Sequence, residues 1–229
     1  MNNLSISHTS PGTQPGRDDY LSPNTLNIQA VDLGHPERDE TQAFIIEGFA
    51  TIHNASVHQF MPNLISLRDK KIRAVIGVRS AKEPLFIERY LDLPIEQHGR
   101  LNIPRQQIAE VGNLVSSSRH FTLLLFMVTA TSLDQAGFKE MVFCATGRVA
   151  DILRCAGASP QPIAEADGER LGASLAEWGR YYDQQPVVMH LNLASVVALI
   201  QSSPLLKPMC ERFRASTNEI VSQLNGDRS

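Results

Sequence analysis

Residues 108–122 read IAEVGNLVSSSRHFT, and the chemistry of the chain is densest there. Glu110 puts a carboxylate into an otherwise apolar strand, where an unpaired charge is costly. Such a group is a candidate proton acceptor; the plainer reading is a carboxylate facing solvent or paired with a nearby arginine. Gly112 and Asn113 interrupt the alternation as a bulge or kink does, which frees backbone N–H and C=O groups. Ser116, Ser117 and Ser118 then stand before a strongly apolar helix. Backbone N–H groups at a helix start make an anion site suited to phosphate, and Arg119 adds charge-assisted contacts. The same serines also serve as ordinary helix caps, and Arg119 and His120 as a solvated helix start.

Other candidates are scattered. Arg89, Asp92 and Glu96 form a charged cluster in an irregular stretch, able to grip an amine or amino acid or to face solvent. Trp178, Tyr181 and Tyr182 either wall a pocket or pack a last layer; of these Tyr182 is the candidate catalytic hydroxyl. Cys144 lies on an apolar strand with no base beside it in sequence and reads as a small buried hydrophobe. His53 and His58 lack metal-ligand spacing and a second pair, so no metal is expected.

The elements that must position these residues follow from periodicity. The chain has 229 residues, 42% hydrophobic and 20% charged, ordinary for a soluble globular protein. A net charge of −3 gives no ground for wrapping nucleic acid. The longest apolar run, 121–130, is too short to span a bilayer, which takes about 20 residues. Three widely spaced cysteines without a Cys-x-x-Cys, and no secretory signal, predict a cytoplasmic protein. Residues 1–24 are rich in Ser, Pro, Gly, Asn and Asp and predict a disordered tail. A strand near 26–33 is followed by a helix opened by Pro36. Strands are expected at 58–68 and 72–80, joined by the polar turn at 68–71. After an irregular stretch come a strand at 107–115, a helix at 119–136 stopped by Gly137, a strand at 141–145, a short helix at 149–155 and a strand near 162–166. Residues 170–183 are amphipathic; 190–203 and 208–224 read as helices. Strands that pair first as hairpins and then alternate with helices predict a mixed α/β (α+β) sheet through residues 25–170 with helices on both faces. The division expected is a tail (1–24), a domain (25–190) and a helical extension packed on it (191–229).

This order resembles the GNAT acyltransferase fold, with a mostly antiparallel sheet and one parallel, splayed strand pair. In residues the chain resembles the thermostable hemolysin family. The matching blocks are Pro84-Leu85-Phe86-Ile87-Glu88 with Tyr90-Leu91-Asp92, Pro94 and Glu96; Glu110-Val111-Gly112-Asn113-Leu114; Gly137-Phe138; Val142-Phe143 with Ala145-Thr146; Trp178-Gly179 with Tyr181-Tyr182-Asp183; and Pro186 with Val188-Met189. Three features depart from the family pattern: Glu140 where an aromatic is usual, Cys144 where Thr is frequent, and His190-Leu191-Asn192 in place of Gly-Asp.

The resemblance implies that an acyl thioester sits between the fourth and fifth strands, with Glu110 at the reaction centre. Distantly similar acyl-homoserine-lactone synthases take their acyl group from acyl carrier protein. The implied activity is therefore transfer of a fatty acyl group from acyl carrier protein (on phosphopantetheine) or from acyl-CoA to a small amine or amino acid. Val111, Gly112, Asn113, Leu114, Ser116, Ser117, Ser118, Arg119, Cys144 and Arg148 would hold the donor; Arg89, Asp92 and Glu96 would hold the acceptor. The glycine-rich turn of acetyl-CoA enzymes of this fold is replaced here by serines, which favours a carrier-protein donor. The family name raises a second possibility, a membrane-active or lipid-binding protein using residues 191–205, and a third is a catalytically silent binding module.

Overall fold

The computed structural model describes residues 26–98, 101 and 103–226; the expected tail at 1–24 lies outside them. The chain begins with β1 (Asn27–Val31), α1 (Arg38–His53), β2 (Asn63–Arg68) and β3 (Ile72–Ser80). Asp69 makes the turn between β2 and β3: its carboxylate accepts the N–H of Lys71 at 3.0 Å and pairs with Arg73. β2 starts five residues later than its apolar pattern suggests. Pro62 has no N–H for a ladder, and both main-chain groups of Met61 are committed elsewhere.

β4 (Ile108–Ser116), α2 (Arg119–Gln135), β5 (Glu140–Ala145), α3 (Gly147–Cys155), β6 (Gln161–Glu165), β7 (Val187–Asn192), α4 (Leu193–Ser202), α5 (Leu206–Glu211) and α6 (Arg214–Gly226) follow. The seven strands form one sheet in the order β1-β2-β3-β4-β5-β7-β6. Every neighbouring pair is antiparallel except β4 and β5. The sheet thus runs past residue 170 to Asn192. Residues 190–192, expected to open a helix, instead end β7, between β5 and β6. The strand tolerates His190 because Glu140 of β5 meets its Nδ1 at 3.0 Å and accepts from Asn192 at 2.9 Å. Two departures from the family pattern are therefore one hydrogen-bonded cluster.

α2 is apolar all round because it is covered all round. Leu124, Leu125, Phe126, Met127 and Val128 are all buried, between the sheet and α4 and α6. α1 lies on the opposite face, with Ile45 and Phe49 against Val75 and Val115. Beside it, residues 85–95, Leu101 and residues 166–182 cover Ile108, Val142 and Val188. The amphipathic stretch after 168 forms 3-10 turns (Gly168–Trp178), kinked where Gly172 takes φ 57°. The helix expected at 208–224 is divided into α5 and α6, with Phe213 of the junction buried.

Candidate active site

The parallel pairing of β4 and β5 covers four register pairs, from Ile108↔Glu140 to Val111↔Phe143. Beyond it β4 continues with β3 to Ser116 and β5 with β7 to Ala145, so the two strands part and leave unpaired backbone facing the gap. The break falls at the residues that the sequence marks. The β3–β4 register shifts between Val75 and Gly77, and Asn113 adopts φ 47°. The Asn113 side chain accepts the N–H of Met61 at 2.9 Å and donates to the carbonyl of Gln59 at 3.2 Å. Buried Arg38 donates to the Met61 and Pro62 carbonyls at 2.6 and 2.8 Å. With its main chain so fixed, Met61 lays its side chain across Gly77 and Gly112, which are register partners. A Cβ at Gly77 would come within 2.9 Å of Met61 Cβ, and one at Gly112 within 2.7 Å of Met61 Cε.

A cavity of about 150 Å³ occupies the parting. Glu110 and Cys144 line it from one face of the sheet, and Val111 and Phe143 from the other, so it passes between the strands. On the α1 side it meets His53, Gln59, Met61, Arg79, Phe86, Tyr90, Trp178 and Tyr181; under α2 it ends on Phe126 and Val149. Polar groups at one end and an apolar end beneath a helix suit a molecule with a reactive head and a hydrocarbon tail.

Glu110 is 2% exposed. Its two oxygens accept the N–H groups of Ile87 and Phe86, both at 3.0 Å, and Arg79 lies at 3.4 Å. Burial pushes its pKa above the ordinary carboxylate value, while Arg79 and the two N–H groups pull it back. Carboxylate oxygens offer about four lone-pair sites, so capacity remains for a ligand proton. Burial, then Arg180, lowers the pKa of His53. The Tyr181 hydroxyl donates to Cys144 Sγ at 3.7 Å, and Tyr90 and Tyr182 share a short hydrogen bond. Burial pushes Tyr182 up to about 12 and Cys144 up to about 12.

The cavity gathers Glu110, Val111, Gly112, Asn113, Leu114 and Cys144 of the expected residues. The serine turn lies at the end of β4, outside the lining. Ser116 donates to the Ser118 carbonyl, Ser117 N–H to Arg73, and Ser118 caps α2 by accepting from Phe121. Arg119 and Arg148 are exposed in the first turns of α2 and α3, which leave the two parted strands. Tyr182 reaches the cavity through Tyr90. Arg89, Asp92 and Glu96 do not line it. Arg89 donates to the Leu171 carbonyl and stacks on Phe86; Asp92 pairs with Arg170, and Glu96 with Arg105. Arg79 and Met61 are lining residues not singled out in the sequence; His53 is weighed there only as a metal ligand, and Tyr90 stands only within a family block. Arg79 had one visible signal: on the strand face opposite Ala74, Ile76 and Val78 stand Val75, Gly77 and then a charge.

The apolar face of residues 191–205 is engaged: Leu193, Val196 and Ile200 of α4 are buried, and α4 packs on α2. Among the described residues no helix is long and apolar enough to cross a membrane, and no three His, Cys, Asp or Glu side chains are grouped to hold a metal.

The sheet order, the one parallel pair and the parting between its strands define a GNAT-like fold. The sequence profile of thermostable hemolysin matches residues 31–197, and the chain belongs to that family. No curated protein matches it. Among solved structures it is similar to FeeM, an N-acyl amino acid synthase from uncultured soil microbes (TM-score 0.57, 11% identity, 78% of this chain and 96% of that one). It is also similar to BjaI, a CoA-dependent acyl-homoserine lactone synthase (0.54, 8%, 87% and 99%), and to the AHL synthase LasI (0.51, 13%, 73% and 89%). At these identities the likeness is one of fold.

Proposed function

We propose that the protein is a cytoplasmic N-acyltransferase that moves a fatty acyl group from acyl carrier protein or acyl-CoA to a small amine or amino acid. The observation that carries this reading is the cavity through the parting of β4 and β5, polar on the α1 side and apolar beneath α2. The amides of phosphopantetheine pair with unpaired strand backbone as an added strand does. Its phosphate end is met by the first turns of α2 and α3, with Arg119 and Arg148 in them. The hydrocarbon lies toward Phe126, Phe143 and Val149.

The acceptor nitrogen attacks the thioester carbonyl carbon; a C–N bond forms and the C–S bond breaks, its electron pair leaving on sulfur. Backbone N–H groups of residues 112–114 polarise the carbonyl oxygen. Glu110 takes the proton that the nitrogen sheds. Tyr182, kept protonated and joined to Tyr90, is the source of the proton that the departing sulfur takes up. Holding donor and acceptor together supplies much of the acceleration.

The test is direct. Purified protein is given acyl-CoA and acyl carrier protein thioesters of several chain lengths with a mixture of amines and amino acids. Amide formation is read by mass spectrometry and free thiol by a colorimetric reagent. An amide with one equivalent of thiol is expected; neither product from either donor class would refute the reading.

A further inference from the structure

Arg79 and Glu110 are register partners on β3 and β4 and share the α1 face of the sheet. Their contact is loose for an ion pair inside a cavity: Nε to Oε2 is 3.4 Å, and the buried Nε has no hydrogen-bond partner. The charges are set side by side with hydrogen-bonding capacity unspent. Glu110 is anchored by the Phe86 and Ile87 N–H groups; no hydrogen bond to another described residue holds the guanidinium.

From this pair we infer that the acceptor is an α-amino acid, bound as its zwitterion, with its carboxylate on Arg79 and its ammonium on Glu110. This inference rests on the transferase reading and narrows its acceptor class. An α-amino acid carries its own opposite charges one carbon apart, so it meets an adjacent guanidinium and carboxylate with both ends satisfied. A guanidinium offers a planar fork of donors that matches a carboxylate. The arrangement also sets the direction of the reaction. Glu110 precedes Gly112 by two residues on the same strand face, so an ammonium on Glu110 lies beside the opening where the thioester carbonyl is proposed to sit. Glu110 first passes one ammonium proton to water, which frees the nitrogen lone pair, and, ionised again, takes the second as the C–N bond forms; that proton restores the one Tyr182 gives to the departing sulfur. A simple amine leaves Arg79 unpaired within the filled cavity, which costs binding.

The experiment compares acceptors that differ in the carboxylate alone. The wild-type protein is given amino acids (glycine, L-leucine, L-phenylalanine) and their decarboxylated counterparts (methylamine, isoamylamine, phenethylamine), and kcat/KM is measured for each. The amino acids are expected to be favoured by ~10- to 100-fold, the range for losing charged hydrogen bonds. In Arg79→Gln that ratio should collapse toward one, the change falling mainly in KM for the amino acid. Arg79→Lys, which keeps the charge and loses the fork, should retain part of it. Since the acceptor series needs no variant, a misfolded mutant cannot hide the answer. Amines acylated as well as amino acids, or an undiminished ratio in Arg79→Gln, would overturn the assignment while leaving the transferase reading intact. Failure to acylate any acceptor would overturn both.

Discussion

The carboxamide of Asn113 holds the main-chain N–H of Met61 at 2.9 Å across 52 residues of chain. One side chain thus fixes both a left-handed residue of β4 and the connector that roofs the cavity. Asn113→Ala loses both hydrogen bonds and keeps a Cβ at positive φ, and should cost about 1–3 kcal/mol in urea unfolding. Asn113→Gly loses the same bonds but relieves the backbone, so it should be the milder change. Wild-type urea midpoints for both would show that the carboxamide holds nothing.

Glu110→Gln keeps shape and removes the proton acceptor. Acyl transfer should fall ~100- to 10,000-fold. In the wild type the acid limb of the rate profile should lie above the ordinary glutamate value, because burial raises the Glu110 pKa, and the rate should climb as the carboxylate ionises. Near-normal turnover in the variant would make Glu110 an anchor for the Phe86 and Ile87 N–H groups and nothing more.

Glu88 and Arg105 predict how the molecule fails in acid. Their pairs are 2.6 and 2.7 Å long, and the Glu88 oxygens also accept from Leu85 and Ile95. Burial by itself would raise the Glu88 pKa; Arg105 and the two N–H groups overcome it and hold it at about 2, against an ordinary 4.5. A depressed carboxylate contributes stability that is complete above the unfolded value and is lost as pH falls from about 4.5 toward about 2. Arg105→Gln should therefore move acid unfolding to higher pH. The single tryptophan reports on the region, since Trp178 lies 5.4 Å from Phe86. An unshifted fluorescence midpoint would show that the pair is silent.

The thiols should react in order of access. Burial pushes Cys144 up to about 12, relieved in part by the Tyr181 hydroxyl and reinforced by Glu110, and burial pushes Cys210 up to about 11. Cys155 is exposed. Iodoacetamide at pH 8 should label Cys155 first, with Cys144 slow because its thiol, though in the cavity lining, is held protonated, and buried Cys210 slow as well. Equal rates at Cys144 and Cys155, read by peptide mass spectrometry, would contradict this.

The kink in β4 was readable because its cause is local: Gly112 and Asn113 break an alternating strand where a bulge forms; the parting of the sheet followed from the resemblance to the GNAT fold. β7 was harder. His190 and Asn192 look wrong for a buried strand until Glu140, some 50 residues earlier, supplies the partner. The charges at 89–96 left two readings open for the same reason: Arg89 meets the Leu171 carbonyl and Asp92 meets Arg170, partners 82 and 78 residues away that leave no local pattern, while Glu96 meets Arg105. Arg79 gains its meaning from standing opposite Glu110, and register between strands is set by turns and bulges whose sum a single strand does not carry. Adjacent tyrosines differ in role because the 3-10 turn directs Tyr181 to Cys144 and Tyr182 to Tyr90.

Four register pairs are all that bind β4 to β5, so the sheet is a four-stranded and a three-stranded half joined at a short seam. A molecule that bridges the parted edges mends that seam, and its binding energy adds to the cohesion of the whole chain. At a hundredfold excess over Kd the gain is about 2.7 kcal/mol. Those amide protons of residues 112–114 and 144–145 that face the gap and not β3 or β7 would then exchange slowly in the occupied protein and fast in the empty one, so the seam itself records whether a guest is present.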